Sequence, residues 1–145
     1  MSSPSPETAP YLGALFRLLW QRMRDEAHVR VVAAGFPDVQ PAHLQVFRRP
    51  SPDGGRPSDL AARLQISKQS VNDLLGHLEE HGYLVREADP SDGRGRVVRL
   101  TEKGRQLEGE VHAAARAAEE ETAARLGASR YETLVATLNE MARNP

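Results

Sequence analysis

"PSDLAARLQISKQSVNDLLGHLEEHG", Pro57 to Gly82, is the stretch on which the reading of the whole chain turns. Pro57 suits the first turn of a helix, where a missing N–H leaves no bond unmade. Leu60, Ala61 and Leu64 follow at helical spacing and give that helix one buried face. "QIS" then interrupts. Ser67 can cap a second helix by accepting from the N–H two or three residues on. Val71, Leu74, Leu75 and Leu78 resume the spacing. His81-Gly82 ends it, because glycine takes positive φ without strain. The first helix has about two turns and the second about four. Two short helices around a tight turn form a helix-turn-helix pattern. The small Ala61 and Ala62 let the two helices cross closely.

Toward the C-terminus, "YLVREA" runs from Tyr83 to Ala88, with Tyr83, Val85 and Glu87 alternating with Leu84, Arg86 and Ala88. "DPSDGRGRVVRL" follows, Asp89 to Leu100. It carries turn residues first and β-branched Val97 and Val98 later. The two runs predict a β-hairpin with Arg94 at a thin tip between Gly93 and Gly95. Asp92 can accept from the Arg94 N–H. A hairpin directly after a helix-turn-helix makes a winged helix. Thr101 then caps a helix of about 25 residues, roughly 38 Å long. Leu107, Val111, Ala114, Ala118, Thr122 and Leu126 lie near one of its faces. Ser129 is expected to cap a last helix striped by Tyr131, Leu134, Val135, Leu138 and Met141.

Toward the N-terminus, "PSPDGGRP" reads as a loop, "AHLQVFRR" as a short helix with Leu44, Val46 and Phe47 inward, and "FPDVQP" as a connector. Leu12, Leu15, Phe16, Leu19, Trp20 and Met23 stripe a long helix that can end at Gly35. Residues 1–9 are Ser/Pro-rich and read as a flexible tail. The expected fold is mainly α with a small β-wing. Residues 36–100 form the winged helix-turn-helix, flanked by a helix in 10–35 and two more in 101–145. The flanking helices carry apolar stripes with no sheet or bundle of their own. Either the three bury one another in a monomer, or they pack against a second copy, which is the reading preferred here.

The chain has 145 residues, with 19 Lys+Arg against 20 Asp+Glu and a formal charge of −1, so global charge selects no partner. It has no cysteine, which excludes a disulfide framework and thiolate metal sites. "MSSPSPETAP" has neither the basic nor the apolar region of a signal peptide. No apolar run reaches membrane-span length. A soluble, cytoplasmic protein that engages no membrane is expected.

The residues from Arg56 to Gly104, "RPSDLAARLQISKQSVNDLLGHLEEHGYLVREADPSDGRGRVVRLTEKG", resemble the multiple-antibiotic-resistance regulator (MarR) family of transcription factors. The wing, "DPSDGR" followed by a strand and "LTEKG", is the most specific part. The resemblance implies a homodimer joined through the first and last helices, so that residues 10–35 and 101–145 are dimerisation helices. It implies one winged helix per subunit on a pseudo-palindromic operator in double-stranded DNA. It further implies repression, relieved by a small-molecule effector bound between the dimer helices and the winged helix.

On DNA, the N-terminal residues of the second helix would face base edges: Ser67, Lys68, Gln69, Ser70 and, one turn on, Asn72. Gln69 can pair with adenine, and Lys68 with guanine or phosphate. The plain alternative is that Ser67 only caps while Lys68 and Gln69 are solvated. Many relatives carry basic residues where this chain has Asp73 and His77. Asp73 would repel phosphate, accept from cytosine N4, or face away. The charge lies elsewhere: Arg94 to Arg105 holds five basic residues and one acid, whereas Arg56 to Gly93 holds four basic and seven acidic. By resemblance Arg94 enters the minor groove, and Asp92 holds the wing through its backbone or through an arginine. Arg96 is either a further DNA contact or an exposed strand residue.

"HLEEH", His77 to His81, matches a His-x-x-Glu-His zinc pattern, but that chemistry needs a further ligand and a cleft. Trp20 and Phe47 could line an effector pocket, although such aromatics are more often core. No nucleophile–base pair, phosphate loop or carboxylate pair emerges, so no enzyme, cofactor or metal is expected. Besides a DNA-binding regulator, two readings stand: a winged helix used only for protein–protein contact, and a zinc hydrolase at His77 and His81.

Overall fold

The computed structural model describes residues 11–144. The expected tail at 1–9 lies outside them. Helix α1 is Leu12–Ala33, followed by a 3-10 helix, Pro41–Phe47. Next come α2 (Pro57–Leu64), α3 (Lys68–Glu80), strands β1 (Leu84–Asp89) and β2 (Asp92–Leu100), and helices α4 (Glu102–Leu126) and α5 (Ala128–Arg143). The two strands form one antiparallel sheet.

Local chemistry explains most boundaries. Pro57 opens α2. The turn into α3 is made by Gln65, whose φ of 56° is left-handed without being glycine. It is held because the Ile66 N–H reaches back to the Ala61 carbonyl at 3.1 Å. Ser67 Oγ accepts from the Ser70 N–H at 3.0 Å and starts α3. Gly82, with φ of 81°, ends the chain's run past α3. Thr101 Oγ1 accepts from the Gly104 N–H at 3.1 Å and starts α4. The expected Ser129 cap is corrected: α5 begins at Ala128 and is preceded by Gly127, whose φ is 83°. The Gly127 carbonyl accepts the Tyr131 N–H at 3.1 Å, so the first turn closes before Ser129 could cap it.

The core joins the helix-turn-helix to the flanking helices. Leu60, Val71, Leu75, Leu78, Tyr83 and Leu84 pack with Val31 of α1 and Leu107, Val111 and Ala114 of α4. The "FPDVQP" connector contributes buried Phe36 and Val39, and "AHLQVFRR" folds as a 3-10 helix with Leu44, Val46 and Phe47 buried. Gly104 lets α4 lie against the wing. A Cβ there would stand 1.9 Å from the Tyr83 carbonyl oxygen.

The "PSPDGGRP" loop is also structural. The Gly54 N–H donates to the Val98 carbonyl at 2.7 Å, and the Val98 N–H donates to Gly55 at 2.8 Å. The Leu100 N–H donates to Asp53 Oδ1 at 2.9 Å. The outer edge of β2 is thus covered instead of left unpaired. By contrast, the stripes on α1 and α5 stay open. Leu15, Phe16, Leu19, Trp20 and Met23 are exposed, as are Leu134, Val135, Leu138 and Met141. Helix α4 packs against both α1 and α5, but the N-terminal stripe of α1 and the stripe of α5 are not covered within a protomer. Phe47 is core, whereas Trp20 is exposed, with the Arg24 guanidinium over it 4.8 Å from its ring centre.

Candidate nucleic-acid interface

The first turn of α3 presents Lys68, Gln69 and Ser70 to solvent. The Ser67 hydroxyl donates to Ser70 Oγ at 2.9 Å while also capping the helix. Ser70 therefore keeps its own hydroxyl proton for an external acceptor. Gln69 Nε2 donates to Asp73 Oδ1 at 3.0 Å, so Asp73 is engaged within its own helix.

Asn72 is tied to the wing. Arg86 of β1 donates through Nη1 to Asn72 Oδ1 at 3.4 Å and pairs with Glu79 through Nη2 at 3.2 Å. Glu79 also accepts the Arg86 N–H at 2.9 Å. The Arg86 side-chain bond, set against partial burial and aided by the backbone bond and the Arg86 charge, holds the Glu79 carboxyl below its ordinary value. Arg96 completes the latch by donating to the Arg86 carbonyl at 3.3 Å.

The wing differs from expectation in one respect. Its turn is at Pro90 and Ser91, not at Arg94. Asp89 pairs with Asp92 and Ala88 with Arg96, so Gly93, Arg94 and Gly95 bulge from β2 just below the tip. The reason is Asp89, a residue the sequence reading passed over as simple punctuation. Its carboxylate is buried and accepts from the Ser91 N–H at 2.9 Å and the Ser91 hydroxyl at 2.8 Å, which closes the turn there. It also pairs with Arg56 Nη2 at 2.5 Å. The two Ser91 bonds first, then Arg56, outweigh burial and hold Asp89 down at about 2.

Asp92 does both things expected of it. It accepts the Arg94 N–H at 3.1 Å and lies 3.6 Å from Arg56 Nη2. Arg56, also missed in the sequence, is thus the clasp of the wing. Gly93 and Gly95 are not needed for positive φ; among the described residues that conformation belongs to Gln65, Gly35, Gly54, Gly82 and Gly127. Nor does space demand glycine at 95, since a Cβ there would only make ordinary van der Waals contact, 3.4 Å from Asp89 Cβ and 3.6 Å from the Arg56 guanidinium.

Between α2, α3 and the wing lies an open cleft of about 250 Å³, lined by Arg56, Pro57, Ser58, Lys68, Asn72, Gly95 and Arg96. It brings three predicted residues, Lys68, Asn72 and Arg96, to one wall-to-wall site. Arg94 is exposed on the bulge beyond it. Among the described residues, no carboxylate stands within ion-pair distance of Lys68, Arg94 or Arg96. The first N–H groups of α2 have no intrahelical acceptor, and together with these cations they suit an anionic oxygen.

The histidines serve the frame. His77 Nε2 donates to the Asp38 carbonyl and His81 Nδ1 to the His77 carbonyl, each at 2.8 Å. His28 and His112 hold the carbonyls of Val39 and Phe47 in the same way. His43, His77 and His81 stack with ring centres 4.1 and 4.2 Å apart. Among the described residues, no three His, Cys, Asp or Glu side chains are grouped to hold a metal ion. The zinc reading at His77 and His81 thus lacks its third ligand, and both rings are already engaged with backbone. No described helix is long and apolar enough to cross a membrane.

A model of the MarR family matches residues 49–95, the whole helix-turn-helix and the first half of the wing. The transcriptional repressor CouR, solved on a 23-mer DNA duplex, superposes with a TM-score of 0.75 at 25% identity, over 98% of this chain and 99% of that one. The chain is similar to the MarR family over its helix-turn-helix and shares the fold of CouR. A MarR-family structure from Mycobacterium tuberculosis, in complex with salicylic acid, gives a TM-score of 0.69 at 26% identity over 93% of this chain and 98% of that one. In sequence, an HTH-type transcriptional repressor of Mycobacterium tuberculosis is 37% identical over 71 residues, 49% of this chain and 51% of the relative. The transcriptional activatory protein BadR of Rhodopseudomonas palustris is 35% identical over 78 residues, 53% of this chain and 45% of BadR. The chain spans about half the length of the curated relatives it matches. The relatives in sequence thus include both a repressor and an activator.

Proposed function

We propose that this chain is a homodimeric, DNA-binding transcriptional regulator of the MarR family that represses from a pseudo-palindromic operator and is released by a small-molecule effector. The observation that carries the DNA-binding part is the cleft between α3 and the wing, where Lys68 and Arg96 have no carboxylate partner among the described residues while Arg94 is exposed nearby. In this reading Ser67, Lys68, Gln69, Ser70 and Asn72 address the major groove. Arg94 addresses the adjacent minor groove, Asp92 holds its turn, and Arg96 contacts the backbone. Residues 36–100 bind DNA, and 10–35 with 101–145 join two protomers. The exposed apolar stripes on α1 and α5 support the dimer, since a single copy leaves both in water. Repression is favoured by the repressors among its relatives, and the effector by the relative solved with salicylic acid.

The test is selection of bound duplexes from random DNA by the purified protein. Enrichment of a two-fold symmetric site with half-sites about 10 bp apart is expected. Recovery of no site, or of an asymmetric one, would overturn the reading. Release of the selected duplex by aromatic carboxylic acids tests the effector.

A further inference from the structure

Asp73 breaks the electrostatic logic of a DNA-facing helix, because a carboxylate there opposes phosphate. Its geometry shows what it does instead. It lies one turn after Gln69 and accepts from Gln69 Nε2 at 3.0 Å, with both side chains exposed. A carboxylate can only accept, so the nitrogen end of the Gln69 amide must face it. Rotating the amide by half a turn would set two oxygens against each other.

From this, and resting on the DNA-binding role proposed above, we infer that Asp73 is a positioning residue for base specificity: it locks the Gln69 carboxamide in the one orientation that reads adenine. An amide nitrogen carries two hydrogens. One serves Asp73. The carbonyl oxygen and the other N–H remain side by side, which is the donor–acceptor fork that matches adenine N6 and N7. Guanine presents two acceptors on the same edge, and the locked amide has no second donor beside its first. Asp73 acts a second time through its charge. It raises the cost of every phosphate near α3, so nonspecific binding is weakened while the correct pairing is kept. This is specificity gained by penalising the wrong complex. Asn72 is treated similarly: Arg86 occupies its oxygen at 3.4 Å, which leaves its amide to donate.

The experiment compares the wild-type chain with Gln69→Ala, Asp73→Ala, Asp73→Asn and the double variant Gln69→Ala/Asp73→Ala, each checked for native helix content. Bound sites are selected from random DNA, and affinities are measured for the selected duplex and a scrambled one. The wild type should prefer adenine at one position of each half-site by about tenfold or more. Asp73→Ala should lose that preference. Asp73→Asn offers Gln69 a donor as well as an acceptor, so it should relax the preference too, while binding scrambled DNA more tightly than the wild type. In the Gln69→Ala background, Asp73→Ala should change base preference no further. An unchanged preference in Asp73→Ala, or additive effects of the two alanines, would overturn the inference and leave DNA binding intact. Failure of the wild type to select any site would overturn the DNA-binding reading itself.

Discussion

Replacing Arg94 by alanine should change how binding responds to salt, by an amount that follows from counting charges. On the face shared by α3 and the wing, Arg56 is paired with Asp89 and Asp92, and Arg86 with Glu79. Lys68, Arg94 and Arg96 have no such partner among the described residues, which makes six uncompensated cations in a dimer. Each phosphate they neutralise releases about 0.9 of a counterion, so the logarithmic salt slope should be about −5.4. Affinity for the selected duplex should then fall about 2,000-fold between about 50 and 200 mM salt. Arg94→Ala removes two of the six, so the slope should fall to about −3.6 and the loss over the same range to about 150-fold. The substitution spares the wing turn, because the Arg94 backbone N–H, not its side chain, donates to Asp92. Fluorescence anisotropy titrations at four or more salt concentrations, on one duplex, measure both slopes. A slope unchanged by Arg94→Ala would refute the assignment of that side chain to DNA, however much the affinity itself moved.

Other outcomes follow from the same geometry. Burial first, then the neighbouring charges of His77 and His81, push the His43 imidazole down to about 4. The unfolded chain therefore takes up this proton first, so stability is complete above about pH 6.5. It should fall by up to about 3 kcal/mol as pH drops toward 4. Urea melts at both ends of that window check it, and His43→Asn, whose side-chain oxygen can still accept the Gln40 N–H, should flatten the dependence; an equally steep variant would contradict it. Gly104→Ala forces a methyl group onto the Tyr83 carbonyl and should cost about 1–3 kcal/mol or more in a urea melt. Leu138→Glu places charge in the exposed stripe of α5 and should shift the sedimentation coefficient toward a monomer while leaving the helix content unchanged; a variant that stays dimeric would count against α5 as the joint.

The helix-turn-helix was legible because its signals are local. The spacing of Leu60, Val71, Leu75 and Leu78, the Ser67 and Thr101 hydroxyls and the Gly82 stop each act within a turn or two of chain. Misreadings arose where a partner lies far along the sequence. Asp89 looked like turn punctuation, and its bonds to Ser91 do close the turn there, leaving Arg94 on a bulge; but Arg56, 33 residues earlier, also makes it half of a part-buried clasp. Arg86 looked like an alternating strand residue, yet Glu79 and Asn72 of α3 make it the latch between wing and helix. Gly104 carried no visible signal, because its need comes from the Tyr83 carbonyl.

By itself, then, the sequence determined the order of elements, the caps of α3 and α4, the resemblance to the MarR family and which side chains stand on the first turn of α3. These depend on backbone hydrogen bonding and hydrophobic spacing over a few residues. Only the tertiary structure decided what those side chains can offer. Arg86 of β1 holds Asn72 of α3, and Arg56, just before α2, clasps Asp89 and Asp92 of the wing. Each of these is a matter of which donor meets which acceptor, and that is decided when distant segments are brought within about 3 Å of one another.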